Sequence, residues 1–129
     1  MRPTAVDAVI LDKGRILLVK RRYPPFKNYW AIPGGFVEKN ENVEQAIVRE
    51  AYEETGIRIK VLCLLGVYSN PSRDPTRGTI AVAFLVKPIS RKIIEGSEAE
   101  EVKWFKLDRL PKLAFDHGKI IKDVRKVLR

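Results

Sequence analysis

The chain has 129 residues and contains one cysteine, one histidine and one methionine. Each scarcity excludes something. With Cys63 alone, neither an internal disulfide nor a multi-cysteine zinc site can form; its setting in Val-Leu-Cys-Leu-Leu predicts a core residue. With His117 alone, multi-histidine metal sites are excluded, so carboxylates must carry any metal. No apolar run reaches the length of a membrane span. The opening Met-Arg-Pro-Thr-Ala-Val-Asp lacks the apolar segment and small-residue cleavage site of a secretory signal. The expectation is a cytoplasmic protein without a membrane partner.

What is present fits one domain over residues 1–129. Hydrophobic residues make up 45%, enough for a core, and charged residues 32%. The net charge of +9 attracts polyanions, nucleotides among them. The lysines and arginines are scattered rather than gathered into a basic tail. That distribution predicts attraction of a small anionic substrate and no stable nucleic-acid complex.

Local patterns predict a hairpin from Thr4–Leu11 and Arg15–Lys20 around Asp12-Lys13-Gly14. Extended chain from Trp30 to Val37 follows a loop at Pro24-Pro25. Strands are predicted at Arg58–Tyr68, Thr79–Lys87 and Glu101–Leu107, with a turn-rich loop from Ser69 to Gly78. A helix should start at Asn42, with Gln45 completing a capping box, and stop at Gly56. A second, Asp116–Leu128, should be capped by Asp116 and stapled by Phe115 against Ile120. Strands interspersed with two helices point to a mixed sheet between helices.

The first helix carries the chemistry. At about 100° per residue, Glu50, Glu53 and Glu54 fall within an arc of about 100°. Like charges about 5 Å apart repel by roughly 3 kcal/mol per pair at an effective dielectric of 20, so a cation should sit among them. Hard carboxylate oxygens suit Mg2+ or Mn2+. Charge runs on helices are often only solvated faces, but Val43, Ala46 and Ile47 project near Glu50, so this acidic arc continues an apolar stripe that faces the protein body.

Gly35, Glu41, Arg49, Glu50, Glu53, Glu54, Gly56 and Ile57 occupy every fixed position of a pattern 23 residues long, and this stretch resembles the box of the Nudix hydrolases. The resemblance implies an α/β/α sandwich with a mixed central β-sheet. It implies attack of water at phosphorus, cleaving a nucleoside diphosphate linked to another moiety, with Mg2+ (or Mn2+) as cofactor. Glu50, Glu53 and Glu54 map onto the metal ligands, Gly34 contributes to the metal and phosphate site, and Arg49 maps onto the arginine that positions the glutamates. Gly34 and Gly35 should bring backbone amides near the phosphates, with Glu38 and Glu41 assisting from outside the ligand set. Family members take the general base from the box or from a loop near the last strands; Glu98, Glu100 and Glu101 are the candidates in that loop.

Two further segments bear on substrate. Ser69-Asn-Pro-Ser-Arg-Asp-Pro-Thr-Arg-Gly and Leu113-Ala-Phe-Asp-His resemble segments of an ADP-ribose pyrophosphatase branch, with Thr76 inserted relative to the first. The branch implies conversion of ADP-ribose to AMP and ribose 5-phosphate, and a homodimer as its common assembly. Arg73 or Arg77 would pair with phosphate, and Tyr29, Trp30 or Tyr68 would stack on adenine. His117 would touch ligand or merely begin a helix. Two alternatives stay open: a hydrolase that sanitises oxidised nucleoside triphosphates, and a noncatalytic ADP-ribose sensor.

Overall fold

Lys13 and Gly14 have φ of 53° and 76°, the left-handed pair that closes a two-residue hairpin. This computed structural model describes residues 1–96 and 98–128. The hairpin joins β1 (Thr4–Asp12) to β2 (Arg15–Arg21), but the two strands register only at Leu11–Ile16 and Asp12–Arg15. Beyond that corner they diverge, and the divergence creates the cleft described below.

The chain crosses the gap once. β3 (Trp30–Ala31) pairs with β2 and β4 (Gly34–Phe36) pairs with β1, so Ile32-Pro33 carries the backbone from one side to the other. This crossing divides the extended stretch expected from Trp30 to Val37 into two short strands. β1 also runs parallel to β6 (Ile80–Pro88), which pairs antiparallel with β5 (Ile59–Tyr68). β2 pairs with β7 (Ala99–Lys106). The sheet is therefore mixed.

Helix α1 (Val43–Thr55) begins as its sequence requires: Gln45 N–H donates to Asn42 Oδ1 at 2.8 Å, and Asn42 N–H donates to Gln45 Oε1 at 2.9 Å. It ends at Gly56, whose φ of 76° a side chain would disfavour. Its Ala46, Ile47 and Ala51 bury against Val6, Ala8 and Ile10 of β1. Helix α2 (His117–Val127) covers the opposite side, with Ile120, Ile121 and Val124 clustered with Val9, Ile16 and Leu18. Each fully buried Ile or Leu contributes roughly 1.5–3 kcal/mol. Period-2 alternation along β1 thus sends successive residues to different helices, completing the α/β/α sandwich.

Three local expectations are corrected. Cys63 is exposed, with Leu62, Leu64 and Val67 around it; register irregularities at Val61/Cys63 and Leu64/Gly66 break the inward-outward alternation of β5. Asp116 makes no side-chain cap to α2, because Arg73 holds its carboxylate. Phe115, at φ 52°, packs with the α1-side cluster, while Ile120 belongs to the other, so the staple does not form.

Candidate active site

Where β1 and β2 part, a cleft of about 900 Å³ opens. Ala5 and Asp7 line it from β1, Val19 and Arg21 from β2, Glu50 and Glu54 from α1, and Phe115 and His117 from the approach to α2. Gly34 and Gly35 lie between the two helical sides. A Cβ on Gly35 would stand 2.3 Å from Glu50 Oε2, and one on Gly34 would meet Val6 O at 2.0 Å and Asp7 Oδ1 at 2.7 Å. The backbone contact at Gly34 requires glycine, whereas a side chain at Gly35 would displace the Glu50 carboxylate, so the backbone itself forms this part of the cleft.

On the α1 side, Arg49 organises the acids. Its Nη1 donates to Glu50 Oε1 at 2.6 Å and Glu53 Oε1 at 3.0 Å, its Nε to Glu41 Oε2 at 3.0 Å, and its Nη2 to Phe36 O at 3.0 Å. The hydrogen bond from Arg49 lowers the Glu41 pKa to about 2, helped by the Glu38 backbone N–H. The same acids raise the Arg49 pKa. Burial raises the Glu50 pKa despite Arg49. Glu54 is pushed up to about 7, first by burial and then by repulsion from Glu50, Glu98 and Glu53.

This wall is short of positive charge on the Glu54 side, as a carboxylate set built for a cation would be. Among the described residues no three acidic, histidine or cysteine side chains form a ready-made cation cage; Glu50 and Glu53 are turned onto Arg49. The donor set nonetheless suits a divalent hard cation, given hard oxygen donors on adjacent helical turns and a side-chain-free backbone at Gly35 beside them.

The α2 side is built differently. His117 Nδ1 accepts the Ile32 N–H at 2.9 Å, and burial lowers its pKa to about 3, so the ring is neutral with its proton on Nε2. Nε2 lies 3.8 Å from Asp7 Oδ1, beyond hydrogen-bond reach. Burial raises the Asp7 pKa to about 7. Arg73, only 5% exposed at its side chain, donates to both Asp116 oxygens at 2.9 and 2.7 Å and to Thr79 O at 3.0 Å. It lines the cleft, yet its guanidinium is committed to holding the start of α2.

The sequence-derived candidates sort by these positions. Gly34, Gly35, Glu50, Glu54, Glu98, Arg73, Arg77 and His117 all line the cleft, with Arg77 above the Phe36 ring at 5.1 Å. Glu53 stands beside it on Arg49. Of the loop acids, Glu100 pairs with Arg22 at 3.3 Å and Glu101 sits opposite Lys20 in the β2–β7 ladder. The three aromatics expected to stack on a base lie outside the cleft lining. Tyr29, at the surface, meets Phe26; Trp30 meets Phe105 and Tyr68 O–H donates to Asp123 Oδ2 at 2.9 Å, so the latter two serve packing. The sequence reading missed Asp7, Arg21, Arg22 and Phe115, all of which line the cleft. For Asp7 a signal existed: one charge within an otherwise apolar strand.

Comparison with known proteins agrees with this geometry. A family model described as the NUDIX domain matches residues 1–124. An ADP-ribose pyrophosphatase of Methanocaldococcus jannaschii is 53% identical over 119 residues, 92% of this chain and 70% of that protein. The structure of a bifunctional NMN adenylyltransferase/ADP-ribose pyrophosphatase from Francisella tularensis, complexed with AMP and a Mn ion, superposes with a TM-score of 0.89 at 29% identity, covering all of this chain and 42% of that one. The NUDIX domain of Shewanella oneidensis NrtR, complexed with ADP-ribose, superposes with a TM-score of 0.86 at 30% identity, covering all of this chain and 90% of that one. A box filled at every fixed position, a mixed sheet between two helices and a match over nearly the whole length leave one assignment: this chain belongs to the Nudix family.

Proposed function

We propose that this protein is a Mg2+-dependent ADP-ribose pyrophosphatase that adds water across the diphosphate of ADP-ribose to give AMP and ribose 5-phosphate. The observation that carries the reading is the juxtaposition of the Glu50/Glu54 wall and the glycine backbone with Arg21, Arg22 and Arg77 around one cleft. It offers donors for a cation and positive charge for phosphate oxygens in the same space. The 53% identical M. jannaschii pyrophosphatase and the relatives carrying AMP or ADP-ribose support the substrate.

Glu50, Glu53 and Glu54 would hold the cation, with Gly34 contributing from the backbone. A divalent cation there supplies Lewis-acid stabilisation of phosphate charge and makes water a better nucleophile. The chain's own part is positional. Arg49 holds Glu50 and Glu53 until a cation competes for them. The backbone at Gly34-Gly35 lets phosphate approach closely, and Arg21, Arg22 or Arg77 neutralise its oxygens. Glu98, the loop acid that lines the cleft, is the assigned general base and takes the proton of the attacking water.

Purified protein with Mg2+ should release AMP from ADP-ribose. A profile favouring oxidised nucleoside triphosphates would replace the substrate, and ADP-ribose binding without metal-dependent turnover would make the protein a sensor.

A further inference from the structure

Asp7 Oδ2 is the one buried side-chain oxygen or nitrogen among the described residues that lacks a hydrogen-bond partner. The Asp7 side chain is 9% exposed and that of His117 5%, and both line the cleft. An unpaired buried polar atom costs about 1–3 kcal/mol, so folding alone does not account for it. The two groups form a mixed pair: the Asp7 carboxyl, when ionised, offers an acceptor, and His117 Nε2–H offers a donor because Nδ1 already accepts from Ile32 N–H.

The surroundings narrow what such a pair can recognise. Val19, Ala31, Ile32 and Phe115 line the same cleft, and the Arg21 guanidinium lies 4.9 Å over the Phe115 ring. These apolar and planar walls suit a flat heteroaromatic ring, and would leave the many hydroxyls of a sugar without partners. The metal side lies across β4, since Gly34 faces Asp7 whereas its neighbour Gly35 faces Glu50. A nucleotide spanning β4 would place its phosphates and its base on different faces of one short strand.

Resting on the nucleotide reading above, we propose that Asp7 and His117 form the base-recognition site and select adenine: the exocyclic amino group donates to the Asp7 carboxylate, and ring nitrogen N1 accepts from His117 Nε2–H. Hypoxanthine presents a carbonyl oxygen and a ring N–H instead, the reverse polarity. Asp7 and His117 are specificity residues and take no part in the chemistry at phosphorus.

The test uses ligands without a pyrophosphate bond, so it reads the base site whether or not ADP-ribose is turned over. Calorimetric binding of AMP, IMP and purine riboside 5′-monophosphate, which lacks the amino group, should rank AMP tightest by about tenfold, the order of one mis-paired buried hydrogen bond. Asp7→Asn supplies an amide N–H for a carbonyl, so it should reduce the AMP/IMP ratio about tenfold with the circular dichroism spectrum unchanged. Equal binding of the three ligands by the unmodified protein overturns the proposal. A parallel loss of AMP and IMP affinity in Asp7→Asn overturns it equally. Should that variant fail to fold, the three-ligand ranking alone decides. Failure of ADP-ribose hydrolysis with the AMP preference intact would remove the pyrophosphatase reading and leave the base site standing.

Discussion

On the α1 side of the cleft, Glu38, Glu41, Glu50 and Glu53 gather around one arginine. On the α2 side, one aspartate faces one neutral histidine. The first arrangement crowds its acids onto Arg49, which holds Glu41 ionised, near enough to solvent for a cation to compete. The second holds charge down by burial: Asp7 is raised to about 7, so that its ionised form is no longer strongly favoured near neutrality, and His117 is lowered to about 3 and stays neutral. Charge retained near water suits cation and phosphate chemistry, whereas polarity without a fixed charge suits reading the edge of a neutral ring. Two walls of one cleft thus divide the work by how much solvent each is allowed.

That contrast can be broken from either side. The largest effect is expected on the α1 side, where Glu53→Gln or Glu54→Gln should lower kcat at least about 100-fold, roughly 2.7 kcal/mol of transition-state stabilisation, with the fold intact by circular dichroism. Near-normal rates in both would end the metal-ligand assignment. Gly35→Ala comes next. Its Cβ would meet the Glu50 carboxylate at 2.3 Å, so Mn2+ affinity measured by calorimetry should fall by about tenfold or more, one displaced charged contact. Unchanged affinity would mean that Glu50 is free to move without cost.

Arg73→Ala probes the α2 side through its support. Removing one partner of a buried ion pair costs about 3–5 kcal/mol, so the denaturant midpoint should drop while kcat at saturating Mg2+, in whatever fraction stays folded, remains within a small factor. A selective loss of kcat with unchanged stability would make Arg73 a substrate contact after all.

The smallest effect is in pH. His117 has a folded pKa depressed to about 3 from 6.5. Its contribution to stability is therefore present above pH 6.5 and lost as pH falls toward 3. Asp7, raised from 3.8 to about 7, works in the opposite sense, its contribution present below pH 3.8 and lost as pH rises through 7. Arg73, Asp116 and Arg21 face His117 as well. Across the shared window Asp7 and Glu54, both raised to about 7, oppose His117, so the midpoint should rise modestly as pH falls from 7 to 5. His117→Gln should steepen that rise, and adding Glu54→Gln should leave the Asp7 slope alone; a flat profile in the double variant would mean that Asp7 does not change protonation on folding.

What was legible in the sequence depended on the range of the interaction that decides it. The Asn42–Gln45 capping box, the stop at Gly56 and the shared face of Glu50, Glu53 and Glu54 all follow from spacings within four residues. Tyr29, Trp30 and Tyr68 lie outside the cleft lining; composition marks them as able to stack but not where they point. Cys63 was misjudged because bulges in β5 arise from its pairing with β6. The Asp116 cap was pre-empted by Arg73, 43 residues away. Asp7 joins the cleft only because β2 leaves β1 after Leu11–Ile16, and no local pattern announces that departure.

The paired glycines have a consequence for how the chain finds its register. Only three residue pairs join β4 to β1, few for a strand whose alignment must be unique, and a slip of one residue would send each position to the other face. Gly34 and Gly35 act as a two-sided key against that slip. One lies flush with Val6 and Asp7, the other with Glu50, and Pro33 and Phe36 on either side carry side chains that neither space would accept. The alignment that admits both glycines is also the one that sets Glu50 and Asp7 against different faces of β4, so a change that preserves either half of the cleft preserves the other.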